Sequence, residues 1–307
     1  MLGPRLFTVG HAARIYDGMF RCDGLDDARD LVQKRALFGG TVVKQYLLPA
    51  RIQRQWLELA CKEAGLNITN EGAGEPLLQL AMIKDGCTGV EHNPVWGNVY
   101  KDFISVFAGS GAWLCPTLQV CYGTEEGKEY FKYKYWRQPD AKLMRFTYSN
   151  SKVAVTLNGT ESIETIMNAH STDTVYPGFL SPAAIDTRLL HAGVHIDLGS
   201  HGNDEGIGPH NELWALQMGD FTNMEALQTA TIRGAEALGV QHDLGSIAVG
   251  KIADRIVLNK NPLEDIPKSR EIRYVMKDGI LYNGDTLDEI WPEQRKCPDW
   301  RLHEVHN

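Results

Sequence analysis

The sequence predicts an α/β fold built around a parallel sheet, and three observations carry that expectation. Short β-branched runs alternate with amphipathic helical stretches, the pattern of consecutive βαβ units. Glycines follow the helical stretches, at Gly65, Gly86, Gly109, Gly111 and Gly239, where a left-handed residue can close a helix. The 307 residues leave room for one α/β barrel, which takes about 250, and a smaller appendage. A composition of 43% hydrophobic and 23% charged residues is that of an ordinary globular chain and excludes disorder, collagen and coiled coil as the main state.

The elements follow in order. Arg5 to Val9 reads as a strand that starts almost at once. Residues 25–38 carry apolar side chains at helical spacing, with acids in the first turn, where the helix dipole favours them. Gly39-Gly40 breaks the chain, and Thr41 to Tyr46 reads as a buried strand. Residues 50–64 form the next amphipathic helix. Leu66 to Thr69 is a short strand with Glu71 at its end. Residues 75–85 are helical and Thr88 to His92 is strand. A helix near 97–109 and a strand-like run from Ala112 to Val120, interrupted by Pro116, come next. Residues 122–180 break the rhythm and are expected to form an excursion over the mouth of the fold. The alternation resumes with a helix at 182–192, a strand at 194–199 and a long helix at 222–238. Short β-like pieces follow at 245–248, 253–258 and 272–276, with a turn at Asp278-Gly279. Residues 285–307 read as a surface tail.

Several function classes are disfavoured. The net charge is −8 and no Lys/Arg run exists, so the clustered cations of a nucleic-acid grip are missing. No stretch of about 18 apolar residues is present, so no membrane span is readable. Six cysteines are spread thinly, none in C-x-x-C, which argues against a disulfide scaffold. Sequons at Asn67 and Asn158 are too short to set a compartment. The opening Met-Leu-Gly-Pro-Arg-Leu-Phe has no secretory pattern. There is no G-x-S-x-G, P-loop, H-E-x-x-H or dinucleotide fingerprint.

In a parallel α/β barrel, chemistry sits where strands end. Lys44, Glu71, His92 and His201 are the polar residues at such ends, each from a different strand. A lysine held in a strand mouth is costly to bury unless paired, and desolvation makes it a nucleophilic amine able to take up carbon dioxide as a carbamate. The alternative is a lysine that snorkels to solvent. His92 offers imidazole to a zinc-like metal or is a hydrogen-bonded structural histidine. Its neighbour Glu91 has opposite strand parity and is expected to face the helical shell. Glu71 is a ligand or general base, or a charge at the next helix N-terminus. His201 lies in Gly199-Ser200-His201-Gly202. Asp197 shares its parity but is about 13 Å away along an extended strand, so Asp204, Glu205 and His210 are the nearer candidates for a base.

The segments Glu225 to Thr231, Ala235 to Gly239, Leu244 to Asp254 and Asn261-Pro262-Leu263 resemble the C-terminal signature of metal-dependent amidohydrolases, in the imidazolonepropionase-like and Xaa-Pro dipeptidase-like branch. Val42 to Tyr46, Gly89 to His92 and Cys115 to Leu118 resemble that family's strands four, six and seven. Gly199-Ser200-His201-Gly202 and His210-Asn211-Glu212-Leu213-Trp214 resemble a subgroup often fused to a β-propeller. The resemblance covers nearly the whole chain.

It implies a partial (β/α)8 barrel, about strands three to eight, over residues 1–243. The C-terminal part of a small β-sandwich would follow at 244–284. It implies one or two zinc-like divalent ions that activate water against an amide-type carbon–nitrogen bond of a small-molecule or peptide substrate. The metal ligands would be Lys44 (carboxylated), His92, Glu71 and His201, and the catalytic groups His201, His210 and Glu71. Three departures stand out. Glu71 occupies the usual strand-five histidine place, and His201 the usual strand-eight aspartate place. No two of the ten histidines are spaced as His-x-His, the family's strand-one pair. The chain is therefore expected to be the C-terminal portion of a hydrolase completed by an N-terminal segment. The alternative is a non-catalytic module that associates with a partner, or with itself, through an open barrel edge.

Overall fold

A computed structural model describes residues 3–14, 22–94, 99–121, 130–131, 180–201 and 206–298. The parallel sheet is present. Its strands are β1 (Val42–Gln45), β2 (Asn67–Glu71), β3 (Gly89–Glu91), β4 (Trp113–Cys115) and β5 (His195–Ile196), paired in chain order and all parallel. Helices α1 (Leu25–Leu37), α2 (Arg51–Ala64), α3 (Pro76–Asp85), α4 (Lys101–Ser110), α5 (Leu118–Cys121) and α6 (Leu180–His191) come before and between them. After β5 come α7 (Gly208–Met218), α8 (Asn223–Gln228), a π-helical turn (Thr229–Arg233) and α9 (Gly234–Ala237).

Local chemistry explains the boundaries. Helix α1 has Asp26 and Asp27 in its first turn and Lys34 and Arg35 in its last, so both ends complement the dipole. Helix α2 stops at Gly65, φ 68°. Helix α3 opens with Pro76 after Glu75, whose carboxylate accepts from the amides of Leu77 and Leu78, a satisfied N-terminus.

The two sheet faces differ. Val43, Ile68, Val90, Leu114 and Ile196 are buried and sit on one face, in neighbouring register. The helices α1, α2, α3, α4 and α6 supply Val32, Leu57, Met82, Phe107 and Leu189 to the same core. The other face carries Lys44, Thr69, Glu71, Glu91, Cys115 and Asp197.

A second, antiparallel sheet follows in the order β6 (Arg255–Leu258), β7 (Ile272–Lys277), β8 (Ile280–Asn283) and β9 (Glu289–Trp291), with a 3-10 turn at Ile266–Arg270. Asp278-Gly279 makes the β7–β8 turn, both at positive φ.

Several expectations change. Arg5 to Val9 is not a strand; Ala13 instead makes an isolated parallel bridge to Gln45. Residues 245–248 form no strand. The run 112–120 divides at Pro116 into β4 and α5, because proline cannot donate to a ladder. The 222–238 helix contains a π turn. The tail expected from 285 begins later, since 289–291 is the fourth antiparallel strand. The excursion at 122–180 lies outside the described residues, except Tyr130, Phe131 and Leu180.

Candidate active site at the strand ends

Three strand ends converge through one carboxylate. Lys44 Nζ lies 3.1 Å from Glu71 Oε2, and His92 Nε2 lies 2.6 Å from Glu71 Oε1. All three side chains are largely buried. Burial pushes the Glu71 carboxyl pKa up, but the His92 hydrogen bond and the nearby Lys44 charge outweigh it and hold it below the usual range. The His201 ring centroid is 5.5 Å from that of His92. The structure thus brings together Lys44, Glu71, His92 and His201.

His92 is held at every polar atom. Its amide donates to Cys115 O at 2.9 Å, and its carbonyl accepts from Gln79 Nε2 at 3.0 Å. Nδ1 meets Thr117 Oγ1, and Nε2 faces Glu71. Its φ is +71°, uncommon for a residue with a Cβ. Thr117 (φ 55°) and His201 (φ 59°) share that conformation. At His92 and Thr117 the surrounding bonds hold this uncommon conformation in place.

Strand parity therefore fails at His92. Glu91 was expected to face the helices, yet it pairs in register with Glu71 and Cys115. Its carboxylate accepts from Thr69 Oγ1 at 2.7 Å. The left-handed turn at the next residue brings His92 to the same face. Asp197 joins this deeper group beside Cys115, its pKa pushed to about 7 by burial and then by the Glu91 charge.

His210 does not join the cluster. Its Nδ1 lies 3.0 Å from Ser269 Oγ, which also accepts from Trp214 Nε1 at 3.1 Å. Burial lowers its pKa to about 4, so it is neutral at pH 7. The chain folds the 266–270 turn onto α7, and that contact occupies the imidazole. Asp204 and Glu205 lie outside the described residues.

Glu71 and His92 are donor types that zinc accepts, and Lys44 becomes one only as a carbamate. As placed, Glu71 is spent on Lys44 and His92. Among the described residues no three His, Cys, Asp or Glu side chains are grouped to hold a metal. The donor set is therefore partial.

Sequence reasoning missed Gln79, Thr117 and Glu212 as parts of this region. Glu212 had a signal, its place in His210-Asn211-Glu212-Leu213-Trp214; buried Gln79 had none.

Residues 183–281 match the amidohydrolase family. The family likeness lies in that segment. Ochratoxinase of Aspergillus niger is 34% identical over 113 residues, 36% of this chain and 23% of that protein. The 5'-deoxyadenosine deaminase of Methanobrevibacter smithii is 48% identical over 94 residues, 28% of this chain and 21% of its own. Imidazolonepropionase of Alkaliphilus metalliredigens is 32% identical over 101 residues, 32% of this chain and 24% of its own. A crystal structure of a Xaa-Pro dipeptidase with methionine in its active site aligns with TM-score 0.59 at 20% identity. It covers 85% of this chain and 59% of the dipeptidase. A prolidase complexed with N-methylphosphonate-L-proline gives 0.59 at 19%, covering 89% and 64%. At those identities the likeness is one of fold, and the amidohydrolase-like chain spans less than two thirds of each.

Proposed function

We propose that this amidohydrolase-like chain belongs to a metal-dependent hydrolase of carbon–nitrogen bonds, acting on an amide of a cyclic or dipeptide substrate. The observation that carries the reading is Glu71, held between Lys44 Nζ and His92 Nε2 at three strand ends. The amidohydrolase segment and the prolidase-like fold support it. In this reading the parallel sheet and its helices are a partial barrel within residues 1–243, and the antiparallel sheet is part of a composite sandwich.

Glu71 and His92 would hold a divalent ion, with Lys44 joining as a carbamate. Such an ion supplies Lewis acidity and lowers the pKa of water toward about 7. The chain's own residues then have defined tasks. Glu71 holds Lys44 and His92 in line. His201, opposite His92, offers an imidazole that can accept a proton from water and return it to the leaving amine.

The test is a panel of Xaa-Pro dipeptides and N-acyl amino acids, with metal analysis of the purified chain. Hydrolysis that falls at least about 100-fold in Glu71→Gln and in His92→Ala, the scale of a lost general base, supports the reading. Hydrolysis unchanged in both variants overturns it. The association reading is favoured by the exposed apolar side chains Ile247, Val249 and Ile256, since exposed apolar surface can mark a contact face. A chain that self-associates or holds a partner, binds no metal and hydrolyses nothing favours that second reading.

A further inference from the structure

We infer that two buried side chains outside the parallel sheet, Gln79 and Glu212, are positioning residues that set where the His92 ring points. The inference rests on the reading above that His92 belongs to the site. It concerns what puts the ring there.

A strand that simply ended would send His92 to the face opposite Glu91. Only the left-handed turn at His92 brings the ring back over Glu71. That turn needs support on both sides of the residue, because a β-carbon at positive φ is strained.

Gln79 supplies one side. It lies on α3, fully buried, and Nε2 donates to the His92 carbonyl at 3.0 Å. Gly72 makes room for it: a Cβ there would press on Gln79 Nε2 and on the Glu91 carbonyl. Among the described residues the Gln79 Oε1 finds no hydrogen-bond partner. A buried amide with one end unsatisfied is a net cost, which an apolar side chain would avoid if only packing mattered.

Glu212 supplies the other side. It lies on α7, fully buried, and accepts from Leu118 N at 2.6 Å, Gln119 N at 3.3 Å and Gln119 Nε2 at 3.2 Å. Those bonds pin the start of α5 and hence the turn at Pro116 and Thr117. That turn is what His92 leans on. Thr117 Oγ1 meets the ring at Nδ1, Cys115 O accepts the His92 amide, and Pro116 O accepts the Asn93 amide at 3.2 Å. Thr117 donates its hydroxyl to Pro116 O at 2.7 Å, which fixes its oxygen toward the ring. A fully buried carboxylate is expensive to keep for packing alone. Here it anchors a loop that touches His92 at its amide and at Nδ1 and the next residue, Asn93, at its amide.

The test reads the ring directly, on the full chain without added metal or substrate. Histidine-labelled protein is studied by NMR at fixed pH, with the His92 signals identified by their loss in His92→Gln. In Gln79→Met and in Glu212→Gln the His92 ring resonances should move, and the nuclear Overhauser contact from the ring to the Thr117 methyl should be lost. Leu189→Ala, a core truncation elsewhere, should lower stability and leave both readouts at wild-type values. A folded Gln79→Met or Glu212→Gln with both readouts unchanged overturns the inference. So does Leu189→Ala moving them equally. If neither site variant folds, absence of the ring–methyl contact in the unaltered chain overturns it as well. Because no step needs hydrolysis, loss of the hydrolase reading and loss of this one are separately visible.

Discussion

Glu58 shows what one buried acid does to stability. It lies on α2 and is 4% exposed. Asn70 Nδ2 donates to its Oε1 at 2.8 Å, while Glu58 Oε2 and Asn70 Oδ1 have no hydrogen-bond partner among the described residues. Burial raises its pKa from 4.5 to about 7, with the Asp85 charge adding to the rise and Arg54 and Arg51 opposing it. The native state therefore binds more protons than the unfolded chain between those values. Stability should fall as pH rises from about 4.5 to about 7 and stay level above. Glu58→Gln should reduce that slope and stabilise the chain at pH 8 by about 1–3 kcal/mol, read from urea unfolding at pH 5 and pH 8. Gly199 makes a second case. A Cβ there would overlap the Cys115 sulfur and press on the Thr117 methyl. Gly199→Ala should cost about 1–3 kcal/mol by overpacking, and adding Cys115→Ala should recover part of it in thermal unfolding. The polar residues at strand ends were legible, because strand-end placement is local. Their partners were not. Nothing near Lys44 in the chain announces Glu71, 27 positions on, as its ion pair.

At the scale of elements, the alternation of strand and helix was legible because each helix carries its own stop signal. The meaning of each glycine was less so. Gly86 closes α3 at φ 110°, a conformation that strains any residue with a Cβ. Gly86→Ala should cost about 1–2 kcal/mol. Gly109 was read as a helix stop, yet it lies inside α4, with Gly111 at φ 73° as the cap. Nothing approaches within 4 Å of a Cβ built at Gly109. Gly109→Ala should therefore stabilise by about 0.5–1 kcal/mol, so the two substitutions move the melting temperature in opposite directions. The parity argument at Glu91 failed for the same kind of reason. It assumed an extended His92, and the left-handed backbone there is imposed by α3 and the β4–α5 turn.

At the scale of the molecule, the segment near residue 5 reaches the far end of the chain. Arg5 Nε bonds Asp254 Oδ2 at 3.1 Å, and Arg5 also pairs with Asp278. Phe7 and Arg5 line a cavity of about 630 Å³ with Ile256, Val275 and Tyr282 of the antiparallel sheet. Arg5→Ala should release residues 3–9, seen as faster amide hydrogen exchange there with the parallel sheet unchanged, and added salt should mimic it in the wild type. The sequence by itself determined the α/β class, the alternation of helices with the parallel strands, and the polar strand ends Lys44, Glu71 and His92. These depend on local periodicity and on glycine and proline chemistry, which act over a few residues. Only the tertiary structure decided that Arg5 to Val9 docks rather than pairs, that Glu91 faces Glu71, that His210 belongs to Ser269, and that Gln79 and Glu212 bracket His92. Each of these depends on which distant backbone or charge arrives at a buried polar atom, and burial makes such an atom take whatever partner the fold delivers.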